Sequence, residues 1–235
     1  MTITQLLSKT EIAKDTYAFE FEKPQGFQYK AGQFVELTLI EPPETDAEGN
    51  TRAYSLTSEP GEETLGIATR MRDTAFKRTL KNLSLGTELQ LDGPFGSFIL
   101  PSSGDRACIF LVGGIGVTPV YSMLKLASRE QKNNPLYLFY SNRTKQDSPF
   151  FEELKNLARS NPNFHFVPTM TNEDSTWSGK TGYINARMVR ENITDMNNSM
   201  VYLCGPAGMV TAMRKVTDEL AVLDENLRTE EFSGY

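Results

Sequence analysis

The chain is poor in cysteine: its 235 residues hold two, Cys108 and Cys204. Two thiols cannot make a four-thiolate iron–sulfur cluster or structural zinc site. A lone disulfide is open to them, but each stands in an apolar run of the kind that holds buried intracellular thiols. Histidine is scarcer still. His165 is the only one and falls in the middle of a strand-like run, so it is read as structural, which excludes histidine triads and most zinc catalysis. No apolar run approaches the roughly 20 residues of a membrane span, and the first fifteen residues lack the apolar stretch of a signal peptide. Positive charge is also in deficit: the net charge of −6 argues against a nucleic-acid partner. These absences describe a soluble cytoplasmic protein of one large or two modest domains.

What is present changes character part-way along. Segments 16–22, 33–40, 52–57, 64–71, 87–91 and 97–100 read as short strands separated by turns, which predicts a six-stranded antiparallel barrel. The loop 41–50 is acidic and proline-containing. One stretch, 73–83, reads as a helix with Asp73 as its cap, and Arg70, Arg72, Lys77, Arg78 and Lys81 crowd around it. That cluster reads either as a solvated helix face or as a phosphate pocket whose outward cations would also receive an acidic partner protein. After the turn-rich segment 101–105, strands at 107–112, 136–140, 164–169, 200–204 and 228–232 alternate with helices at 119–130, 149–159, 185–193 and 206–220. Thr118 is the expected cap of the first of these helices. The alternation predicts an α/β doubly wound parallel sheet. Domains are therefore expected at 1–101 and 102–235.

Two motifs carry chemistry. Arg52-Ala53-Tyr54-Ser55 offers a cation, an aromatic face and a hydroxyl, the groups a flavin nucleotide needs for its phosphates and ring. Gly113-Gly114-Ile115-Gly116-Val117-Thr118-Pro119 is a bare turn between a buried strand and a helix, where a dinucleotide pyrophosphate can approach a helix start. It departs from the usual G-x-G-x-x-G, since Pro119 stands at the third glycine position. Each motif alone is also met in an ordinary exposed strand or a plain strand-to-helix turn. Both together, in this order, point to a site where the two cofactors meet. Gly179-Lys180-Thr181 is not a nucleotide-triphosphate loop, because Asp174 occupies the place of its first glycine. Cys204-Gly205-Pro206 ends a strand, where the side chain of Cys204 is expected to face the crevice.

Arg52-x-Tyr54-Ser55-x-x-Ser58, the glycine turn, Cys204-Gly205-Pro206, Gly93-Pro94-x-Gly96 and the ending Glu230-Glu231-Phe232 together resemble the ferredoxin–NADP reductase superfamily over nearly the whole chain. The resemblance implies an FAD- and NADP-dependent oxidoreductase, with NAD also possible. By that resemblance Arg52 would bind the flavin pyrophosphate, Tyr54 would lie against the ring and Ser55 would hydrogen-bond near N5. Thr69, Arg70, Met71, Phe76 and Lys77 would complete the flavin site. Gly114, Gly116, Thr118 and Pro119 would hold the nucleotide pyrophosphate, and Gly205, Pro206 and Met209 its nicotinamide half. Cys204 would sit beside nicotinamide C4, Glu230 would relay a proton, and Phe232 or Tyr235 would cover the flavin as a movable lid. Ser141, Asn142 and Arg143 follow the second strand of the sheet, where a 2′-phosphate would lie; Arg143, with Lys145 nearby, favours NADPH, while Asp147 leaves NADH open and Arg143 also reads as an exposed loop cation.

The cysteine cluster of a fused ferredoxin domain is missing, so the expected electron acceptor is an external carrier: a ferredoxin, a flavodoxin or an oxygenase component. Reduction of free flavin, or electron relay inside a larger complex, are the alternatives. The oligomeric state is left open.

Overall fold

Apolar side chains at every second position make the first half of the chain strand-forming. The computed structural model describes residues 1–102, 106–172, 177–193, 195–196 and 198–232. Its first six strands are β1 (Thr2–Ala13), β2 (Thr16–Glu22), β3 (Phe34–Leu39), β4 (Thr51–Ser55), β5 (Thr64–Arg70) and β6 (Glu88–Phe95). In β2, Phe19 and Phe21 point inward while Glu20 and Glu22 point to solvent, the period-two pattern of a sheet with one wet face. The strands are antiparallel in the order β4-β3-β6-β1-β2-β5. A bridge between Leu56 and Ile67 brings the two edges together and closes the barrel. Helix α1 (Ala75–Asn82) covers the barrel with Phe76 and Leu80 buried.

The second half contains β7 (Ala107–Gly113), α2 (Val117–Arg129), β8 (Leu136–Asn142), α3 (Phe151–Ser160), β9 (Phe164–Met170), β10 (Lys180–Thr181), α4 (Ala186–Arg190), β11 (Ser199–Pro206), α5 (Ala207–Glu219) and β12 (Leu227–Phe232). The strands form one parallel sheet in the order β10-β9-β8-β7-β11-β12. Strand β7 is buried on both faces. Cys108, Phe110 and Val112 join one core with residues of α2, and Ile109 and Leu111 join another with residues of α4 and α5. The order reverses between β7 and β11, and the crevice at such a switch point is where ligands bind in open α/β sheets.

Three sequence expectations change. Residues 97–100 form no strand, and β1 supplies the sixth. Phe98 is drawn into the second core, where its ring meets Tyr202 edge-on at 5.2 Å, and Ile99 O accepts a hydrogen bond from Tyr202 Oη at 2.9 Å. The connection near 101 is thus packed against the domain it leads into. Thr74, not Asp73, caps α1, its Oγ1 accepting from the Lys77 N–H, while Asp73 pairs with Arg78. Thr118 does not cap α2, because a 3-10 turn at Gly114–Gly116 starts the helix earlier. Thr118 lies inside the first turn and donates to Ile115 O. Lys180 and Thr181, to which the sequence assigned no element, form a short edge strand beside β9.

Tyr202 joins the connecting segment to the second core. Tyr202→Phe leaves the Ile99 carbonyl without its donor and is expected to lower stability by about 1 kcal/mol. Tyr202→Ala, which also opens a cavity, is expected to cost about 3–5 kcal/mol; urea unfolding measures both.

Candidate functional site

Two cavities lie where the barrel meets the strand ends of the parallel sheet. The first, of 440 Å³, has Arg52, Tyr54, Ser55, Thr69 and Lys77 from the barrel side and Ile115, Thr118, Glu230 and Phe232 from the other domain in its wall. The second, of 620 Å³, is bounded by Gly113, Gly114, Ser141, Asn142, Arg143, Pro206 and Met209. They share the turn that joins β7 to α2: Gly113 and Gly114 face the second cavity, Ile115 and Thr118 the first.

The donor set of the first cavity suits a dinucleotide with an aromatic ring. At one end stand the Arg52 guanidinium, Lys77 and the Thr74-capped start of α1, and backbone N–H groups and cations at a helix start favour phosphate. Burial, with Arg72 and Arg52 nearby, pulls Lys77 down to about 8. Arg52 is already braced: its Nη1 donates to the carbonyls of Glu48, Gly49 and Thr51, and its Nη2 meets Asp46 and Glu48 at 3.0 Å each. Phe76 is buried beneath it, 5.2 Å from the guanidinium and 6.1 Å from the Tyr54 ring, so it supports the wall from behind. Met71 likewise packs on the barrel core.

At the other end the two domains touch. Ser55 Oγ donates to Glu230 Oε1 at 2.9 Å, joining residues 175 positions apart. Burial pushes the Glu230 carboxyl up to about 7, against the opposing pull of the Ser55 hydrogen bond. Phe232, two residues on, is in the same wall. Tyr235, the alternative lid, lies outside the described residues.

The second cavity has the shape a pyrophosphate needs. Gly114 has φ +56° and no atom stands within 4 Å of where its Cβ would be, so only bare backbone faces the opening. Gly116 serves packing instead: a Cβ there would come within 2.5 Å of Cys204 O. Pro119 is buried in the first turn of α2, and Gly205 lies at the end of β11 beside Gly113.

Two expected positions move. Arg70 lies in the wall of the second cavity, not the first, paired with Asp147 at 3.4 Å. Residues along β5 alternate, so Thr69 and Arg70 cannot face the same way. Cys204 is 1% exposed and packs in the core behind the crevice, forming no part of either cavity wall. Burial, and Glu230 opposite it in the sheet, push its thiol well above the usual range. The basic cluster around α1 is also dispersed: Arg78 is paired with Glu44 and Asp73, and Lys81 sits over Tyr17. Sequence reasoning missed Thr171, Tyr183 and Lys215 in the second cavity. Only the solvent-exposed aromatic Tyr183, in a loop before a helix, carried a signal that could have revealed it.

Residues 4–99 match the family model of the oxidoreductase FAD-binding domain and residues 110–215 that of the oxidoreductase NAD-binding domain. The chain belongs to the ferredoxin–NADP reductase superfamily. It is 30% identical to ferredoxin–NADP reductase B of Sorangium cellulosum over 92% of this chain and 90% of that protein. It is 31% identical to a CDP-6-deoxy-L-threo-D-glycero-4-hexulose-3-dehydrase reductase of Yersinia pestis, covering 80% of this chain and 54% of the other. A glycine betaine monooxygenase reductase subunit of Chromohalobacter salexigens is 32% identical, with coverages of 86% and 55%. The chain thus spans about half the length of these last two relatives. The ferredoxin NADP+ reductase of Neisseria gonorrhoeae, solved with bound FAD and NADP, superimposes with a TM-score of 0.82 at 20% identity over 98% of each chain, which shows the shared fold. Like that fold, this superfamily member pairs a barrel with a parallel sheet. No helix among the described residues is long and apolar enough to cross a membrane.

Glu230 gives the site a pH signature. Its carboxyl is raised on folding, so the folded chain binds the proton more tightly than the unfolded one. The associated stability is complete below the unfolded value near 4.5 and is lost as pH climbs through about 7. Glu230→Gln is therefore expected to be about 1–2 kcal/mol more stable than wild type at pH 8 and nearly equal to it at pH 4.5. Paired unfolding curves at the two pH values measure the difference.

Proposed function

We propose that this chain passes hydride between NAD(P)H and FAD and single electrons between the flavin and a separate protein carrier, a ferredoxin, a flavodoxin or an oxygenase component. The observation that supports it most is the convergence of the two cavities on one turn, with Ser55 and Glu230 in contact at the junction. Bound FAD would supply the exchange between a two-electron hydride and single electrons.

The chain's own residues do the rest. Arg52, Lys77 and the start of α1 hold the flavin diphosphate, Tyr54 flanks the ring, and Gly114 admits the nucleotide pyrophosphate. Glu230 accepts a hydrogen bond from the Ser55 hydroxyl at Oε1 and, with a value of about 7, can give or take a carboxyl proton near neutral pH. Phe232 covers the flavin side of the junction and yields to nicotinamide. Cys204 stays protonated and acts as a neutral packing group. Arg143 and Lys215, in the wall of the nucleotide cavity, favour NADPH over NADH. Such a reductase belongs in the cytoplasm, where reduced nucleotide is made and where free thiols such as Cys108 and Cys204 persist.

A second reading is supported by the bracing of Arg52. A guanidinium already engaged by Asp46, Glu48 and three carbonyls holds a phosphate less tightly, which favours exchangeable flavin used as a substrate. A visible spectrum of the purified protein, then anaerobic titration with NADPH and with NADH, separates the two readings. Retained yellow chromophore bleached by NADPH supports the first; colourless protein that reduces added flavin supports the second. Protein that does neither refutes both.

Arg52→Ala is expected to raise the FAD dissociation constant about 10- to 100-fold, read as flavin lost on gel filtration. Arg143→Ala is expected to raise KM for NADPH about 10-fold while leaving KM for NADH within about twofold. Equal changes for both nucleotides would remove the 2′-phosphate role.

A further inference from the structure

Helix α2 carries three polar side chains that all reach the barrel. Ser122, Lys125 and Arg129 are spaced three and four residues apart and so share one face. Ser122 Oγ, fully buried, donates to Ser58 O at 2.5 Å. Lys125 pairs with Glu62, and Arg129 Nη2 meets Glu59 Oε2 at 3.1 Å, with the Glu59 side chain only 8% exposed. Gly61 makes room for the last pair, because any Cβ there would collide with the Arg129 guanidinium.

The loop that receives these contacts is itself anchored to the barrel. Ser58 Oγ shares a hydrogen bond with Tyr29 Oη at 2.8 Å and accepts the Gly66 N–H at 3.0 Å. Lys23 Nζ donates to the carbonyls of Pro60 and Glu62 at 2.7 and 3.1 Å. The helix therefore lies along a fixed ledge of the flavin domain, while its first turn carries Thr118 in one cavity and the 3-10 turn before it places Ile115 in that cavity and Gly114 in the other.

We propose that α2 is a rail clamped to the 58–62 ledge, and that Glu59 and Arg129 are positioning residues setting the spacing between nucleotide and flavin. This rests on the hydride-transfer reading above. A helix of this length is a stiff lever of about 20 Å, so slack at Arg129 is carried to the turn between the cavities. Replacing the Glu59 carboxylate by an amide removes the ion pair without leaving a buried charge unpaired and so costs little stability, whereas a misplacement of about 1 Å at the reacting atoms costs on the order of 100-fold in rate. The rail thus predicts a rate effect out of proportion to any effect on folding.

The test uses the FAD-loaded protein and variants Arg129→Gln, Glu59→Gln and the exchanged pair Glu59→Arg with Arg129→Glu. Stopped-flow flavin reduction at saturating NADPH is expected to slow roughly 10-fold in each single variant, with flavin content close to wild type. The melting temperature is expected to stay close to wild type in Glu59→Gln and to fall in Arg129→Gln, which leaves the buried Glu59 carboxylate without its cation. The exchanged pair is expected to recover most of the rate. Hydrogen exchange of the 58–66 amides, measured without cofactor, is expected to quicken in the single variants and to slow again in the exchanged pair.

Single variants that reduce flavin at the wild-type rate would overturn the rail, as would an exchanged pair as slow as the singles. If neither nucleotide reduces the wild-type flavin, the hydride-transfer reading itself falls. The exchange measurement then judges the clamp alone, and unchanged protection in the single variants refutes it.

Discussion

The site exists because two backbones approach each other with nothing between them. At position 116 any side chain would drive into the carbonyl of Cys204, so only glycine lets the turn after β7 lie on the end of β11. That contact places the start of α2 beside β12, and β12 carries Glu230 to Ser55 on the barrel. A single added methyl group would push the turn out and separate the walls of both cavities. Close packing of this kind has no slack to absorb it.

What could be read from residues alone is what depends on neighbours in the chain. Alternation of Phe19 and Phe21 with acids, the apolar run of β7 and the glycine turn are local patterns, and their elements formed where expected. The two helix caps were decided by chain neighbours, Thr74 for α1 and the 3-10 turn before α2, whereas three other positions depend on distant packing. Phe98 follows a strand-like pattern, yet Tyr202, more than a hundred residues away, draws it into the other core. Arg70 belongs by sequence to the cationic stretch before α1, but the pleat of β5 and the position of Asp147 send it to the nucleotide cavity. Cys204 follows the rule that strand ends face the ligand, yet its side chain packs into the core formed with β7 and α2. Of the site, the motif residues were legible because their chemistry is carried by identity. Thr171 and Lys215 were not, since nothing about a threonine or a lysine in a loop or helix marks it out.

The distribution of charge follows the same division of labour. Each domain buries its own apolar side chains, and the core under α2 also reaches across the boundary to Ala31, Ala68 and Phe98. Polar ties then align one domain to the other: Ser55 with Glu230 at the junction, Arg70 with Asp147 at the far cavity, and the three contacts of α2 along its length. Hydrogen bonds and ion pairs are directional where apolar contact is not, and hydride exchange depends on direction and distance. Apolar burial provides stability within the domains and across their boundary, and polar contact provides register between them.

Glu230 shows how far that register can be combined with chemistry. A carboxyl inside an interface would ordinarily be held ionised by a cation, and such a pair would titrate far below neutrality. Here the partner is a hydroxyl, so burial dominates and the carboxyl holds its proton up to about pH 7. An arginine in place of Ser55 would tie the domains more firmly and leave no exchangeable proton at the junction. The weaker contact is the one compatible with proton transfer. That is consistent with the stronger ties lying elsewhere, on α2, where no proton needs to move.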